Sequence, residues 1–251
     1  MDEAELALRR SQMGRSVRSF VTRAPESIGE QGPGFWVALS GATSPDANMV
    51  LVDGADQETA TAVVAVVEKA GCPTLFMLAG AARDSVLGPR WQSVGVMPFM
   101  MRDLTSEQFE PDRRARRAGP GDLKVFSGLM ADSFDLSGEV ADFMAQLLLL
   151  DDLAAEIWLL VDHGVAVSTV LTSIVDDAVC LWCMATPPRF ARRGYGRSLL
   201  TEVLSKAREQ GATIGLLGAT PAGRPLYEAT GWTALENWPI FTNATSAQFA
   251  G

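Results

Sequence analysis

Residues 184–198 read M-A-T-P-P-R-F-A-R-R-G-Y-G-R-S, and no other stretch restricts the fold of this chain as tightly. The apolar run Val179 to Ala185 stops at Pro187-Pro188, and a loop of glycines and arginines follows. Leu199, Leu200, Val203, Leu204 and Ala207 then share one helical face. A strand, a glycine loop and a helix start together make a phosphate-binding arrangement. Glycines let the backbone come close, several N–H groups point outward, and the positive end of the helix favours an anion. Arg192, Arg193 and Arg197 add guanidinium forks suited to phosphate oxygens. An ordinary strand-to-helix turn with solvated arginines would carry the same short pattern, so the loop needs support from the rest of the chain.

Composition removes several classes. With 251 residues, 47% of them hydrophobic and 20% charged, the chain is an ordinary globular one with room for one large domain or two small ones. A formal net charge of −9 argues against a nucleic-acid partner, which needs a clustered positive surface. It leaves an amine substrate open, since an acidic cleft attracts cations at any net charge. No run approaches the ~18 apolar residues of a membrane span, so no membrane partner is expected. The start M-D-E-A-E-L-A-L-R-R has no secretory pattern, and a cytoplasmic location is the expectation. Cys180-Leu181-Trp182-Cys183 spells C-x-x-C, but alternation along a strand sends the two thiols to opposite faces. No second Cys/His pair completes a zinc site, so no metal is expected and the cysteines read as structural. The single histidine, in Asp162-His163-Gly164 between apolar runs, has hairpin-turn chemistry. Of the chain's two tyrosines, Tyr195 lies in the glycine loop and Tyr227 further on.

Ala191-Arg192-Arg193-Gly194-Tyr195-Gly196 resembles the acetyl-CoA loop of the GNAT acetyltransferases, whose pattern is Q/R-x-x-G-x-G/A between a splayed strand and a helix. Ala191 stands where that family usually has Gln or Arg, which removes one side chain and leaves the backbone cradle. Downstream, Pro225-Leu226-Tyr227-Glu228-Ala229-Thr230-Gly231-Trp232 is similar to the family's L-Y-x-x-x-G-F segment. The two motifs come in family order, and the resemblance extends over residues 112–242. It implies an acyltransferase that moves an acetyl group from acetyl-CoA, as co-substrate and without a metal, directly to an amine on a small molecule or peptide. Met184, Ala185 and Thr186 would pair with the pantetheine arm, and the N–H groups of Arg193 to Arg197 would hold the pyrophosphate. Tyr227 would be the general acid for the departing thiolate. Some family members carry a glutamate base where this chain has Gly215; Asp135, Glu139, Asp176, Asp177 or a chain of waters would have to replace it, and none is singled out. The missing base keeps a second reading open, a CoA-binding regulator or pseudoenzyme without turnover.

The same order of elements runs through the first half. At an offset of 140 residues Gly54 falls on Gly194, Val63-Val64 on Val203-Leu204, and Gly71 on Gly211. Trp91 to Val96 parallels Tyr227 to Trp232, and Pro98-Phe99 parallels Pro239-Ile240. The implied fold is therefore α/β (α+β), two GNAT-like units, each a mixed, mostly antiparallel sheet flanked by helices. Residues 1–110 would form a degenerate unit and 111–251 the working one. Expected helices cover 2–21, 57–70, 123–134 and 138–149; expected strands include 35–39, 49–52, 74–79, 96–101, 158–161, 165–171, 179–185, 214–218 and 239–242. In the first copy Val52-Asp53-Gly54-Ala55-Asp56-Gln57 replaces the arginine loop. A carboxylate ~4 Å from a phosphate costs on the order of 4 kcal/mol at an intermediate dielectric, so the first copy should not take acetyl-CoA this way.

Overall fold

A computed structural model describes residues 1–54, 56–106, 112–148 and 155–245. In chain order the elements are α1 (Glu3–Val21), β1 (Ile28–Gly32), β2 (Phe35–Leu39), β3 (Asn48–Val52), α2 (Gln57–Ala70), β4 (Leu75–Leu78) and β5 (Gln92–Asp103). There follow β6 (Ala115–Arg117), α3 (Leu123–Phe134), α4 (Gly138–Leu148), β7 (Ala155–Asp162), β8 (Val165–Val175) and β9 (Ala178–Ala185). The last elements are α5 (Tyr195–Glu209), β10 (Ile214–Gly218), α6 (Arg224–Glu228) and β11 (Thr233–Thr242). They form two compact units, Met1–Phe99 with Ala234–Gly251, and Met100–Thr233. The boundary expected near residue 110 lies outside the described residues, as does the expected helix end at Leu149. No helix of the described residues is long and apolar enough to cross a membrane.

The first unit orders its strands β1-β2-β3-β4-β11. β2 runs antiparallel to both β1 and β3, β3 and β4 are parallel around the crossover helix α2, and β11 returns antiparallel beside β4. The helix ends follow local chemistry. Asp2 caps α1 through the Glu5 amide at 2.9 Å, and Asp56 caps α2 through the Thr59 amide at 2.6 Å. Gly71 closes α2 in the left-handed conformation that glycine adopts without a Cβ penalty. Val37, Leu39, Val50, Val52, Val63, Val67 and Phe76 fill the core under α2, with Trp91 edge-on to Phe76 at 5.0 Å. β1 carries no apolar alternation (I-G-E-Q-G), which is why only its partner β2 is readable in the sequence. β11 starts at Thr233, six residues before the strand expected at 239, because the polar pair Glu236-Asn237 interrupts the apolar pattern of its first half.

The second unit orders β10-β9-β8-β7-β6, with the end of β5 beside β10. β6 to β9 form an antiparallel run, and β9 and β10 are parallel around α5. His163 and Gly164 both take positive φ (48° and 80°), the two-residue turn expected between β7 and β8. Asp135, at φ 55°, ends α3 where the helix break was expected. Leu199, Leu200, Val203, Leu204 and Ala207 of α5 all sink into the core against Leu160, Val170, Val179 and Leu181. Each unit is thus a mixed α/β layer with mostly antiparallel strands and one parallel pair.

Candidate active site

The parallel pair of the second unit is only partly joined. β9 meets β10 at Ala178, Val179 and Cys180, opposite Ile214, Gly215 and Leu216, and neither strand pairs with the other beyond that. From Leu181 to Ala185 one side of β9 is therefore open towards β10. Along its other edge β9 bulges. Thr169 faces Ala185 and Leu171 faces Trp182, so Cys183 and Met184 share one place opposite Val170. Cys183 takes φ 52° to make this bulge. Cys180 is buried as a structural cysteine, whereas Cys183, at the bulge, is only half-buried. Neither is in a disulfide, and no metal-holding group of His, Cys, Asp or Glu occurs among the described residues.

Ser168, fully buried on β8, anchors the strand end. Its hydroxyl bonds the Ala185 carbonyl at 2.9 Å and lies 2.8 Å from the Thr186 hydroxyl. No pattern in the sequence marks it. After Pro187 the chain makes one 3-10 turn, Pro188–Phe190, and Arg189 pairs there with Asp132. Arg192 (φ 63°) and Gly194 (φ 81°) then turn left-handed, and α5 begins at Tyr195 with no side-chain cap. The amides of Arg193, Gly194, Tyr195, Gly196 and Arg197 donate to no backbone carbonyl among the described residues; the first helical bond runs from the Ser198 amide to the Gly194 carbonyl, at 3.0 Å. Arg192, Arg193 and Arg197 are exposed, and none makes an ion pair among the described residues. Gly196 is closely neighboured: a Cβ there would stand 3.3 Å from Leu226 Cδ2, 3.4 Å from Thr186 Oγ1 and 3.5 Å from Met184 Cε. One small volume thus joins the end of β9, the first turn of α5 and α6. Open amides, exposed guanidinium groups and a cleft that a Cβ would fill suit a phosphate-bearing ligand with an extended arm.

Tyr227 follows Leu226 on α6 and is 6% exposed, edge-on to Trp232 at 5.8 Å. Burial pushes its phenol well above the ordinary tyrosine range, so it holds its proton at any physiological pH. Tyr195 is committed elsewhere, its hydroxyl donating to Asp162 Oδ2 at 2.7 Å. The Gly215 position has a steric cause that the sequence alone does not reveal. A Cβ there would stand 2.7 Å from the Trp232 ring, so the indole occupies the space that a glutamate would need. Among the alternatives, Asp135 and Asp176 sit in left-handed turns (φ 55° and 54°), and Asp177 receives the Thr213 hydroxyl at 3.3 Å.

The second unit thus joins a strand pair opened past a bulge to an uncapped glycine turn and helix. Residues 127–232 match the Acetyltransferase (GNAT) family, and this part of the chain is a GNAT acetyltransferase domain. Solved structures extend the likeness in fold to nearly the whole chain. A GCN5-related N-acetyltransferase from Kribbella flavida is 14% identical over 97% of this chain and 96% of its own, with a TM-score of 0.65. A GNAT-family structure from Novosphingobium aromaticivorans is 12% identical, covering 92% and 97%, with a TM-score of 0.61. A GCN5-related N-acetyltransferase from Sphaerobacter thermophilus is 16% identical, covering 83% and 76%, with a TM-score of 0.56. No curated protein matches the chain.

Proposed function

We propose that the second unit transfers an acetyl group from acetyl-CoA to an amine, and that the first unit is a tandem relative which takes no coenzyme. The observation that carries this is the row of open amides from Arg193 to Arg197 beside the unpaired end of β9. Met184, Ala185 and Thr186 would add the pantetheine arm as a strand, while the loop amides with Arg192, Arg193 and Arg197 would hold the pyrophosphate. Gly194 supplies the left-handed turn and Gly196 the clearance. The acceptor, an amine on a small molecule or peptide, would lose its proton and attack the thioester carbonyl; a C–N bond forms as the C–S bond breaks. Tyr227 would donate to the departing sulfur. Its raised pKa suits a hydrogen bond to a developing thiolate better than complete transfer, which is uphill to a thiolate whose acid has a pKa near ~8.5. No carboxylate is assigned as base, and solvent would take the amine's proton.

Titration calorimetry with CoA tests the reading: one site per chain supports it, and two equal sites or none would overturn it. A thiol-release assay over a panel of amines then separates an acetyltransferase from a CoA-binding regulator, the reading favoured by the indole that fills the Gly215 position. Tyr227→Phe should lower kcat for a good acceptor about 10- to 100-fold and leave KM for acetyl-CoA little changed. An unchanged kcat would remove Tyr227 from the chemistry.

A further inference from the structure

We infer that Tyr195 and Asp162, backed by Arg114, form a latch that holds the first turn of α5 open for a phosphate ligand; the inference rests on the coenzyme reading of that loop. The turn lacks the usual means of staying in place. A Ser, Asp or Asn at the helix cap would fix it, but such a cap bonds the second or third amide of the helix, which are among the donors a phosphate needs. Gly194 stands at the cap and offers no side chain. The fastening comes from outside. Tyr195, the first helical residue, keeps its amide free and sends its hydroxyl to Asp162 Oδ2 at 2.7 Å. Asp162 ends β7 just before the tight His163-Gly164 turn, so its backbone is held by the β7–β8 hairpin.

Arg114 completes the arrangement. It donates to Asp162 Oδ1 at 2.8 Å and to Asp112 Oδ2 at 2.7 Å, and its guanidinium carbon lies 5.8 Å from the centre of the Tyr195 ring. Tyr195 and Asp162 are thus positioning residues: they keep the amides aligned before a ligand arrives, which lowers the ordering cost of binding.

Calorimetry with CoA on the full chain tests this, using Tyr195→Phe, Asp162→Ala and the double variant. Each single change should weaken CoA about 5-fold or more, and the double variant should lose no more than Asp162→Ala alone, because that change already removes the Tyr195 contact together with the Arg114 pair. In turnover, Asp162→Ala should raise KM for acetyl-CoA by more than it lowers kcat, a split that general loosening of the fold would not give. Asp162→Asn serves if the alanine variant misfolds, with a smaller rise in the same direction. Singles that bind like the wild type, or losses that multiply in the double variant, would overturn the latch alone. A wild-type chain that takes up no CoA overturns both the latch and the reading beneath it.

Discussion

Two strand–helix–strand crossovers in this chain, β3-α2-β4 and β9-α5-β10, share their order, their parallel pairing and the glycine after the first strand, yet only one leaves its strand end and loop amides open. In the first, Met49 to Val52 pair with Leu75 to Leu78 to their very ends, and the Ala79 amide still reaches the Val52 carbonyl at 2.9 Å. In the second, pairing stops at Cys180 and the remaining residues of β9 stand open. The amides differ as well. Those of Asp53 and Gly54 both donate to the Gly34 carbonyl, at 2.8 and 3.0 Å, and Asp56 caps α2. Gly54 packs closely on Gly34: a Cβ on Gly34 would come within 2.7 Å of the Gly54 Cα, and one on Gly54 within 3.3 Å of the Gly34 Cα. Gly194 has empty space around it and is a glycine for its left-handed turn. The same residue at matching places therefore serves close packing in one unit and an open amide turn in the other.

The sharpest way to break the comparison is to invert the charge of the open loop. Arg192→Glu with Arg193→Glu puts two carboxylates into the loop, one of them at the place matching Asp53. A carboxylate ~4 Å from a phosphate costs on the order of 4 kcal/mol, which is ~10³ in affinity. Calorimetry should show CoA binding fall by about that factor with the melting temperature nearly constant, since both arginines are exposed. The converse change, Asp56→Arg, should create no second site, because the strands there stay zipped and the Asp53 and Gly54 amides stay used. Stoichiometry above one per chain would show that charge alone separates the two crossovers.

The first unit has its own buried cation, which turns that corner to structural use. Arg10 is 1% exposed and donates through Nε to Glu236 Oε2 at 2.8 Å, and through Nη1 to Glu3 at 2.6 Å and Asp53 at 3.1 Å. Removing one member of such a group leaves buried charge without compensation, at about 3–5 kcal/mol. Arg10→Ala should therefore cost that much in urea unfolding, whereas CoA affinity at temperatures where the chain is folded should hold. A large loss of CoA affinity would mean that the first unit takes part in binding.

Much of this was legible in the sequence, for physical reasons that also mark where reading stops. Gln57–Ala70, with its left-handed Gly71, and Phe35–Leu39 are found as expected because apolar period and end residues agree there. The five core residues of α5 were legible from spacing alone. The glycine loop was legible as a turn between a strand and a helix, but the zipped state of β3 and β4 was not, since both strand pairs read as apolar runs. Ser168, Arg114 and Asp162 act through contacts between residues far apart in the chain, and no local pattern announces them. Gly215 looked like the loss of a base; in space it is an accommodation to the Trp232 indole.

That accommodation gives a smaller, cleaner test. Gly215→Ala puts a methyl group 2.7 Å from the Trp232 ring, which must shift within a core that also holds Tyr227 and Leu217. Overpacking of this kind costs about 1–3 kcal/mol. Combining it with Trp232→Phe, the residue of the family pattern, should restore most of the loss in thermal unfolding. No rescue would mean that something other than the indole excludes a side chain at that position.

The smallest expected effect separates the units by pH. In the second unit, Arg114 holds Asp112 down to about 2, and Arg116 holds Asp122 down to about 2. A carboxylate depressed in the folded state contributes stability above its ordinary value near ~4, and that contribution is lost as pH falls towards the folded pKa. In the first unit burial raises Asp53, which has the opposite sign: its contribution is present in acid and is lost as pH rises through its folded pKa. Glu236 is lowered and offsets part of this. Both Asp112 and Asp122 face water at one side, so each is worth on the order of 1 kcal/mol after screening. Between pH 4 and pH 2.5, amide exchange should therefore rise earlier in residues 112–148 and 155–233 than in residues 1–54 and 56–99. Equal protection in the two units across that range would show that these ion pairs add nothing measurable.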